Sequence, residues 1–182
     1  MSRSTCGCSR VGAAEPAASG MPMPLSLHQA SVPVFVRYLD RLAAIVAGVD
    51  PALLDARLAP DMHPFRSQVA IAANFAPRAC FPLAGKPVPD LGEMPQSVEG
   101  LLARIAHAKA LVESLAPDEF DAGRVIEDGA GQATVVLPAA DFLCQYALPN
   151  FFFHLTTAYA ILRSRGVAVG KGDFDGFHAY PR

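Results

Sequence analysis

The segment from Phe142 to Leu162 contains no Asp, Glu, Lys or Arg, although it is long enough for about six helical turns. It does keep uncharged polar side chains, namely Gln145, Asn150, His154, Thr156 and Thr157. A helix that avoids full charges but keeps such groups is typical of one buried in a protein, with its polar side chains turned inward. We therefore predict a central helix here, and we predict that the polar pocket lies beside it.

The same segment is long enough to cross a bilayer, so a transmembrane helix is the alternative. Pro149, Asn150 and His154 lie near its middle, where polar groups are costly in lipid. The sequence contains no second segment of this kind. We therefore predict that the chain does not associate with a membrane.

The composition favours closely packed helices. Hydrophobic residues make up 52% of the chain and charged residues 18%, respectively above and below the usual shares, and alanine supplies much of the excess. The net charge of -2 argues against nucleic-acid binding, which needs a clustered basic surface.

The cysteines indicate a reducing compartment. Cys6, Cys8, Cys80 and Cys144 are too scattered for a disulfide framework. Cys80 and Cys144 lie in apolar sequence and are predicted to be small buried residues. We therefore predict a cytoplasmic location.

Apolar residues at three-and-four spacing predict four long helices, over residues 27–49, 64–83, 98–115 and 139–164. Pro64 is predicted at the first position of the second helix, and Pro77 is predicted to bend or end that helix. Ser97 is predicted to cap the third helix. Pro149 is predicted to interrupt the fourth, which Gly166 ends in a left-handed turn.

A short hairpin is predicted between the third and fourth helices. Residues 124–127 and 132–137 flank Asp128-Gly129, a pair that favours a tight turn. The predicted architecture is therefore an all-α four-helix bundle with a small β-hairpin before the last helix. The predicted organisation is a disordered tail over residues 1–22, the bundle over residues 23–170, and a C-terminal tail over residues 171–182.

The chain resembles one branch of the DinB/YfiT-like superfamily over roughly residues 24–176. That branch is known only as a domain of unknown function, number 1993 in its series. The matching segments are LSLHQASVP at residues 25–33, LDARLAPDM at 54–62, LPNFFFHLTTAYAILR at 148–163 and GKGDF at 170–174. The resemblance implies a DinB-like four-helix bundle with a long crossover connection. It implies no activity, because the branch has none assigned.

The wider superfamily includes metal-dependent thiol transferases and isomerases, which hold a divalent metal with three histidines. One histidine comes from the second helix and two from an HxxxH pair on the last. His154 matches the first member of that pair, but Ala158 stands at the second position, and residues 64–83 contain no histidine. The resemblance therefore implies a degenerate metal site, and we expect no cofactor.

The face of the last helix that carries Asn150 and His154 is the candidate site, because these residues lie one turn apart. An imidazole and an amide in a pocket can bind a small polar ligand or transfer a proton near neutral pH. The alternative is a buried histidine that only satisfies a neighbouring group. Gln68 and Asn74 interrupt the second helix, and Asn74 is predicted to be the inward one.

Other polar residues extend this candidate pocket. Asp61 and His63 precede the second helix and are predicted at the pocket mouth, although a capping role is the alternative. Tyr159 is predicted to present its hydroxyl to the pocket or to pack with it at the rim. Cys144 has no cationic neighbour in sequence to lower its pKa, so a structural role is predicted.

Three functions follow as hypotheses. The first is a bundle that binds a small polar ligand in a pocket formed by Asn150, His154, Asn74, Asp61, His63 and Tyr159. The second is a metal-dependent enzyme acting on a thiol or small acid, in which zinc or nickel is held by His154 and replacement ligands such as His28 and His63. The third is a structural or interaction protein that forms a homodimer through a helix face.

Overall fold

Two of the first three long helices begin at serine residues whose side chains cap them. The structure, a computed structural model, describes residues 25–179, so the predicted tail over residues 1–22 lies outside the described residues. Helix α1 is Leu27–Val46, α2 is Phe65–Leu83 and α3 is Val98–Glu113. The Ser26 hydroxyl accepts from the Gln29 amide at 3.2 Å, and the Gln29 side chain accepts from the Ser26 amide at 3.0 Å.

The cap predicted for α3 is confirmed. The Ser97 hydroxyl oxygen accepts a hydrogen bond from the Gly100 amide at 3.1 Å, which satisfies one of the free donors of the first turn. The apolar residues whose spacing predicts these helices form their buried faces, although Leu111 of α3 is only partly buried. The buried residues of these faces include Phe35, Leu39, Leu42 and Val46 of α1, Val69, Ala72, Ala76 and Cys80 of α2, and Leu101, Ile105, Ala108 and Val112 of α3.

The prolines of α2 behave differently from the prediction. Pro64 is the N-cap residue and lies just before the first helical position. Helix α2 continues through Pro77 to Leu83, so the prediction that Pro77 ends it is wrong, while the alternative that Pro77 bends it stays a prediction. Pro77 is buried, and its packing offsets the hydrogen bond that proline cannot donate.

The last long helix consists of three consecutive pieces. Helix α4 is Ala139–Asp141, a π-helical segment spans Phe142–Ala147, and α5 is Leu148–Ser164. Pro149 therefore falls in the first turn of α5, where its missing amide is tolerated. The predicted interruption is present, but it is the π-helical segment that precedes Pro149. Gly166 ends the helix with a φ of 78°.

The hairpin pairs strand β1, Val125–Ala130, with strand β2, Ala133–Pro138, in antiparallel register. The predicted turn at Asp128-Gly129 is wrong, because Asp128 pairs with Val135 and Gly129 pairs with Thr134. The chain turns two residues later, where Gly131 has a φ of 64°. Asp128 instead uses its carboxylate to hold Arg78 of α2 at 2.8 Å.

The long helices form the bundle, with α2 packed against both α3 and α5, and α1 packed against α3. Phe151 of α5 meets Phe35 of α1 edge to face, with ring centroids 4.9 Å apart.

The long connection over residues 84–97 is held by hydrogen bonds from Arg104 of α3, which is 7% exposed. Its guanidinium donates to Asn74 Oδ1 at 2.9 Å and to the Glu93 carbonyl at 2.5 Å.

Part of the predicted C-terminal tail is a packed helix, α6, Lys171–Asp175. Arg37 of α1 donates to the Asp175 carbonyl at 2.8 Å, and Arg41 donates to the Asp173 carbonyl at 2.9 Å. The boundary at residue 170 stays a prediction, but these contacts join α6 to the bundle.

The two cysteines of the described range differ. Burial raises the pKa of the Cys80 thiol to about 12, so this residue is the small buried residue that was predicted. Cys144 is exposed, because the π-helical segment turns it outward, and its predicted burial is wrong. Within residues 25–179, no helix is both long enough and apolar enough to span a membrane.

Candidate functional site

His154 lies where α5 passes the first turns of α2. Its ring is half-buried, and its Nδ1 lies 2.7 Å from Oε1 of Gln68. Gln68 is 1% exposed, so this contact is inside the bundle. The prediction that the last helix turns this imidazole toward the other helices agrees with that contact.

The Gln68 amide has one orientation that satisfies both of its neighbours. Its Nε2 lies 3.3 Å from the backbone oxygen of His63, which can only accept a hydrogen bond. The Gln68 oxygen must therefore face His154, and because this oxygen also only accepts, Nδ1 of His154 must carry the proton. The neutral ring then has its lone pair on Nε2.

Aromatic rings form the walls around His154. Phe75 of α2 stacks on the imidazole with centroids 5.8 Å apart, and the Phe153 ring meets it edge to face at 5.1 Å. Burial, with a smaller contribution from the nearby His63 ring, lowers the pKa of His154 from 6.5 to about 4. His154 is therefore neutral at pH 7.

This lowered pKa predicts a loss of stability in weak acid. Below pH 6.5 the unfolded state takes up a proton on His154, while the folded state does so only near pH 4. The free energy of unfolding should therefore fall between pH 7.5 and pH 5, by about 1–2 kcal/mol from this residue once solvent screening of the half-buried ring is allowed for. Urea denaturation at both pH values measures the change.

A His154→Leu variant is the control for this prediction, because leucine fills similar space and has no proton to exchange. The variant should show a smaller loss between the two pH values. Equal losses in both proteins would contradict the assignment of the effect to His154.

The structure places the other predicted pocket residues at different points. His63 is exposed and lies close enough to influence the charge of His154, and Asp61 is exposed two residues earlier. Asn150 is one turn before His154, but its amide donates to the Tyr146 carbonyl at 2.7 Å. The amide is therefore turned along its own helix.

Asn74 and Tyr159 have partners away from His154. Asn74 binds Arg104, so Gln68 and not Asn74 is the amide of α2 that meets the imidazole. The Tyr159 ring packs against Phe174 of α6 at 5.7 Å. Their membership of a ligand pocket stays a prediction.

A polar cluster that the sequence analysis missed lies next to Phe75. Arg78 of α2 binds the Asp128 carboxylate and donates to the Tyr146 hydroxyl at 3.3 Å. The Tyr146 hydroxyl in turn donates to the Gly129 carbonyl at 3.0 Å. Burial raises the pKa of Tyr146, so its hydroxyl stays protonated. The π-helical segment brings Tyr146 to this position, and no residue pattern indicated that segment.

A half-open cleft with a volume of about 310 Å³ lies between the end of α1 and the chain after α5. Its lining includes Arg41, Ile45, Gly48, Val167 and Asp173. None of the predicted pocket residues lines this cleft.

The residues present do not fit a three-histidine metal site. Ala158 is buried and has no donor atom, and the residue of α2 that faces His154 is Gln68, whose oxygen is already bound to Nδ1. His28, the other proposed ligand, packs on the Phe120 ring at 5.1 Å. Among residues 25–179, no three His, Cys, Asp or Glu side chains come together as a metal-binding group.

The helices and the hairpin define a DinB-like four-helix bundle. Its last helix keeps His154 but has Ala158 in place of the second histidine. The chain belongs to the family described as Domain of unknown function (DUF1993), whose profile matches residues 27–175. It is similar to the crystal structure of a DinB family member protein from Shewanella denitrificans, with a TM-score of 0.70 and 32% sequence identity, covering 86% of this chain and 95% of that one. No curated protein matches the chain.

Proposed function

We propose that this chain binds a small polar ligand between α2 and α5, with His154 as the polar anchor. The observation that carries the proposal is the asymmetry of the His154 ring. Its Nδ1 is held by Gln68, whereas its Nε2 has no hydrogen-bond partner among residues 25–179. A half-buried ring with one nitrogen held and the other free can direct a lone pair at a ligand.

The surroundings of His154 suit a small polar ligand that also has some apolar surface. Phe75 and Phe153 provide aromatic surface on two sides of the imidazole. Phe153 is 55% exposed, so part of this surface is open to solvent. His63, with Asp61 near it, would then lie at the mouth of the site, and Asn150 would lie one turn earlier on α5.

The residues favour ligand binding over metal-dependent catalysis. A metal enzyme of the thiol transferase or isomerase type would need ligands beyond His154, and the residue of α2 that faces it, Gln68, has its oxygen bound to the histidine. Zinc or nickel at stoichiometric amounts in untagged protein, lost on substitution of His154, would overturn this choice. The homodimer and the cytoplasmic location stay predictions, and light scattering tests the dimer.

A thermal-shift screen of neutral metabolites and fragments, followed by titration calorimetry, tests the proposal. A compound that stabilises the wild-type protein should lose at least tenfold in affinity for a His154→Ala variant, since one hydrogen bond and the adjoining contacts are lost. The matched control is His107→Ala, because His107 is exposed on α3. Binding that survives in His154→Ala, or that falls equally in both variants, would place the ligand elsewhere.

The dependence of compound binding on His154 separates a ligand-binding site from a purely structural histidine. If His154 only satisfies Gln68, the substitution should lower the free energy of unfolding by about 1–3 kcal/mol, because the buried amide loses its partner, and no compound should depend on His154. A compound that requires His154 supports the binding site whatever the stability cost.

A further inference from the structure

We propose that Gln68 selects the ligand of this site: by holding the proton of His154 on Nδ1, it makes Nε2 an acceptor, so that the site takes a neutral compound that donates a hydrogen bond. This inference rests on the proposed ligand-binding function and names the chemical class of the ligand, such as a phenol, an alcohol or an amide. The residue that determines specificity is thus Gln68, which would not itself contact the ligand.

The Gln68 side chain cannot reverse its amide. Its Nε2 donates to the His63 carbonyl at 3.3 Å, and its side chain is 1% exposed, so water does not offer an alternative partner. A reversed amide would place the Gln68 oxygen against the His63 carbonyl oxygen, so that two acceptors would face each other without a proton between them. The amide therefore imposes the Nδ1–H form of the ring.

The groups around His154 also restrict the charge of the ligand. The titratable group that acts on the ring is His63, which precedes α2, and its effect opposes a positive charge on His154. Arg78, further along α2, is already held by the Asp128 carboxylate at 2.8 Å. The two aromatic walls, Phe75 and Phe153, carry no charge. Among the described residues, no lysine or arginine is hydrogen-bonded to the His154 ring.

An anionic ligand would have its oxygen atoms opposite the Nε2 lone pair. A carboxylate or phosphate oxygen is itself an acceptor, so the two acceptors would repel each other. A cationic ligand would donate to Nε2, but it would bring its charge into a partly desolvated site. A neutral hydrogen-bond donor is the ligand that satisfies Nε2 without placing a charge in the site.

Three probes of similar shape test this selection: phenol, which donates a hydrogen bond, anisole, which does not, and benzoate, which is an anion. Their binding at pH 7 is followed through the ring resonances of His154 in protein labelled with ¹⁵N-histidine. Phenol should bind at least tenfold more tightly than anisole or benzoate, which corresponds to about one hydrogen bond.

A Gln68→Glu variant should reverse this order. A carboxylate opposite Nδ1–H favours the charged imidazolium, in which Nε2 also carries a proton. Nε2 is then a donor, so benzoate should bind at least as tightly as phenol. The matched control is Gln96→Glu, which makes the same change of charge in an exposed loop and should keep the preference for phenol.

The outcomes distinguish this inference from the function on which it rests. If no probe perturbs His154 in either the wild-type protein or Gln68→Glu, both the binding site and the selection are wrong. If benzoate binds the wild-type protein as tightly as phenol, the site stands and the selection by Gln68 is wrong. If the variant does not fold, the tautomer of His154 in the wild-type protein still tests the inference. A proton found on Nε2 at pH 7 would overturn it.

Discussion

Replacing Phe151 with alanine should lower the free energy of unfolding by about 3–5 kcal/mol, the range found when a large aromatic is removed from a packed core. Phe151 is completely buried and its ring lies 4.9 Å from Phe35 and 5.2 Å from Phe152. The substitution removes both ring contacts and leaves a cavity where α5 crosses α1. Urea denaturation monitored by circular dichroism measures the change.

The matched control is Phe153→Ala, two positions later on the same helix. Phe153 is 55% exposed, so its removal should change the free energy of unfolding by less than about 1 kcal/mol. Because a helix turns by about 100° per residue, the two substitutions report which face of α5 is inside. A larger loss for Phe153→Ala than for Phe151→Ala would mean that the helix is rotated relative to this structure, with His154 on another face.

The second large effect is expected for Arg104→Ala, which should lower the free energy of unfolding by about 2–4 kcal/mol. Arg104 is 7% exposed and donates to Asn74 and to the backbone oxygens of Gly92 and Glu93. Burial lowers its pKa, with Asp90 acting in the opposite direction. Its removal leaves these acceptors without their donor and releases the 84–97 connection from α3.

A Lys109→Ala variant provides the comparison for Arg104, since it removes another cation of α3. Lys109 pairs with Asp40 at 2.6 Å at the protein surface, and such pairs contribute about 0–1 kcal/mol. Proteolysis of the 84–97 connection should be faster in Arg104→Ala and unchanged in Lys109→Ala. Equal stability of the two variants would contradict a clamping role for Arg104.

Much of the fold could be predicted from local sequence signals. The Ser97 cap, the spacing of Phe35, Leu39 and Leu42, and the stop at Gly166 each depend on residues close together in the chain. Such signals are strong because capping geometry and the 3.6-residue period are local properties. The DinB-like architecture followed from the same residues together with the family resemblance.

The features that the sequence did not predict depend on contacts between distant residues. The hairpin turn lies at Gly131 and not at the predicted Asp128-Gly129. Aspartate is common in turns, but Asp128 is held in β1 by its ion pair with Arg78 of α2. Helix α2 continues through Pro77 because its buried face packs on neighbouring helices. Tertiary contacts of this kind override local propensity.

The candidate site stays a prediction, but two of its residues lie together. His154 was proposed from the uncharged segment and the family's histidine pattern, and His63 because it precedes the second helix; the structure puts them near each other. The choice between Gln68 and Asn74 was wrong because these residues differ by about 120° around α2, a difference that matters only once the neighbouring helices are placed. Gln68 meets α5, whereas Asn74 meets α3.

The π-helical segment explains why Tyr146 was overlooked. Within Phe142–Ala147 the backbone is wound more widely than in an α-helix, which shifts the face on which each side chain lies. A regular α-helix drawn through Pro149 would not predict the contact between the Tyr146 hydroxyl and Arg78. Segments of this kind often mark functional sites, and here one adjoins Phe75, the aromatic wall of the His154 site.

The most direct test of the account is the titration of the His154 ring itself, followed by long-range ¹H–¹⁵N NMR from pH 7 downward. Sequestration against Gln68 and Phe75 predicts a ring that is neutral at pH 5 and takes up its second proton only near pH 4. A histidine that gains its charge near pH 6.5, as a water-exposed imidazole does, would show that α5 does not turn this residue into the bundle.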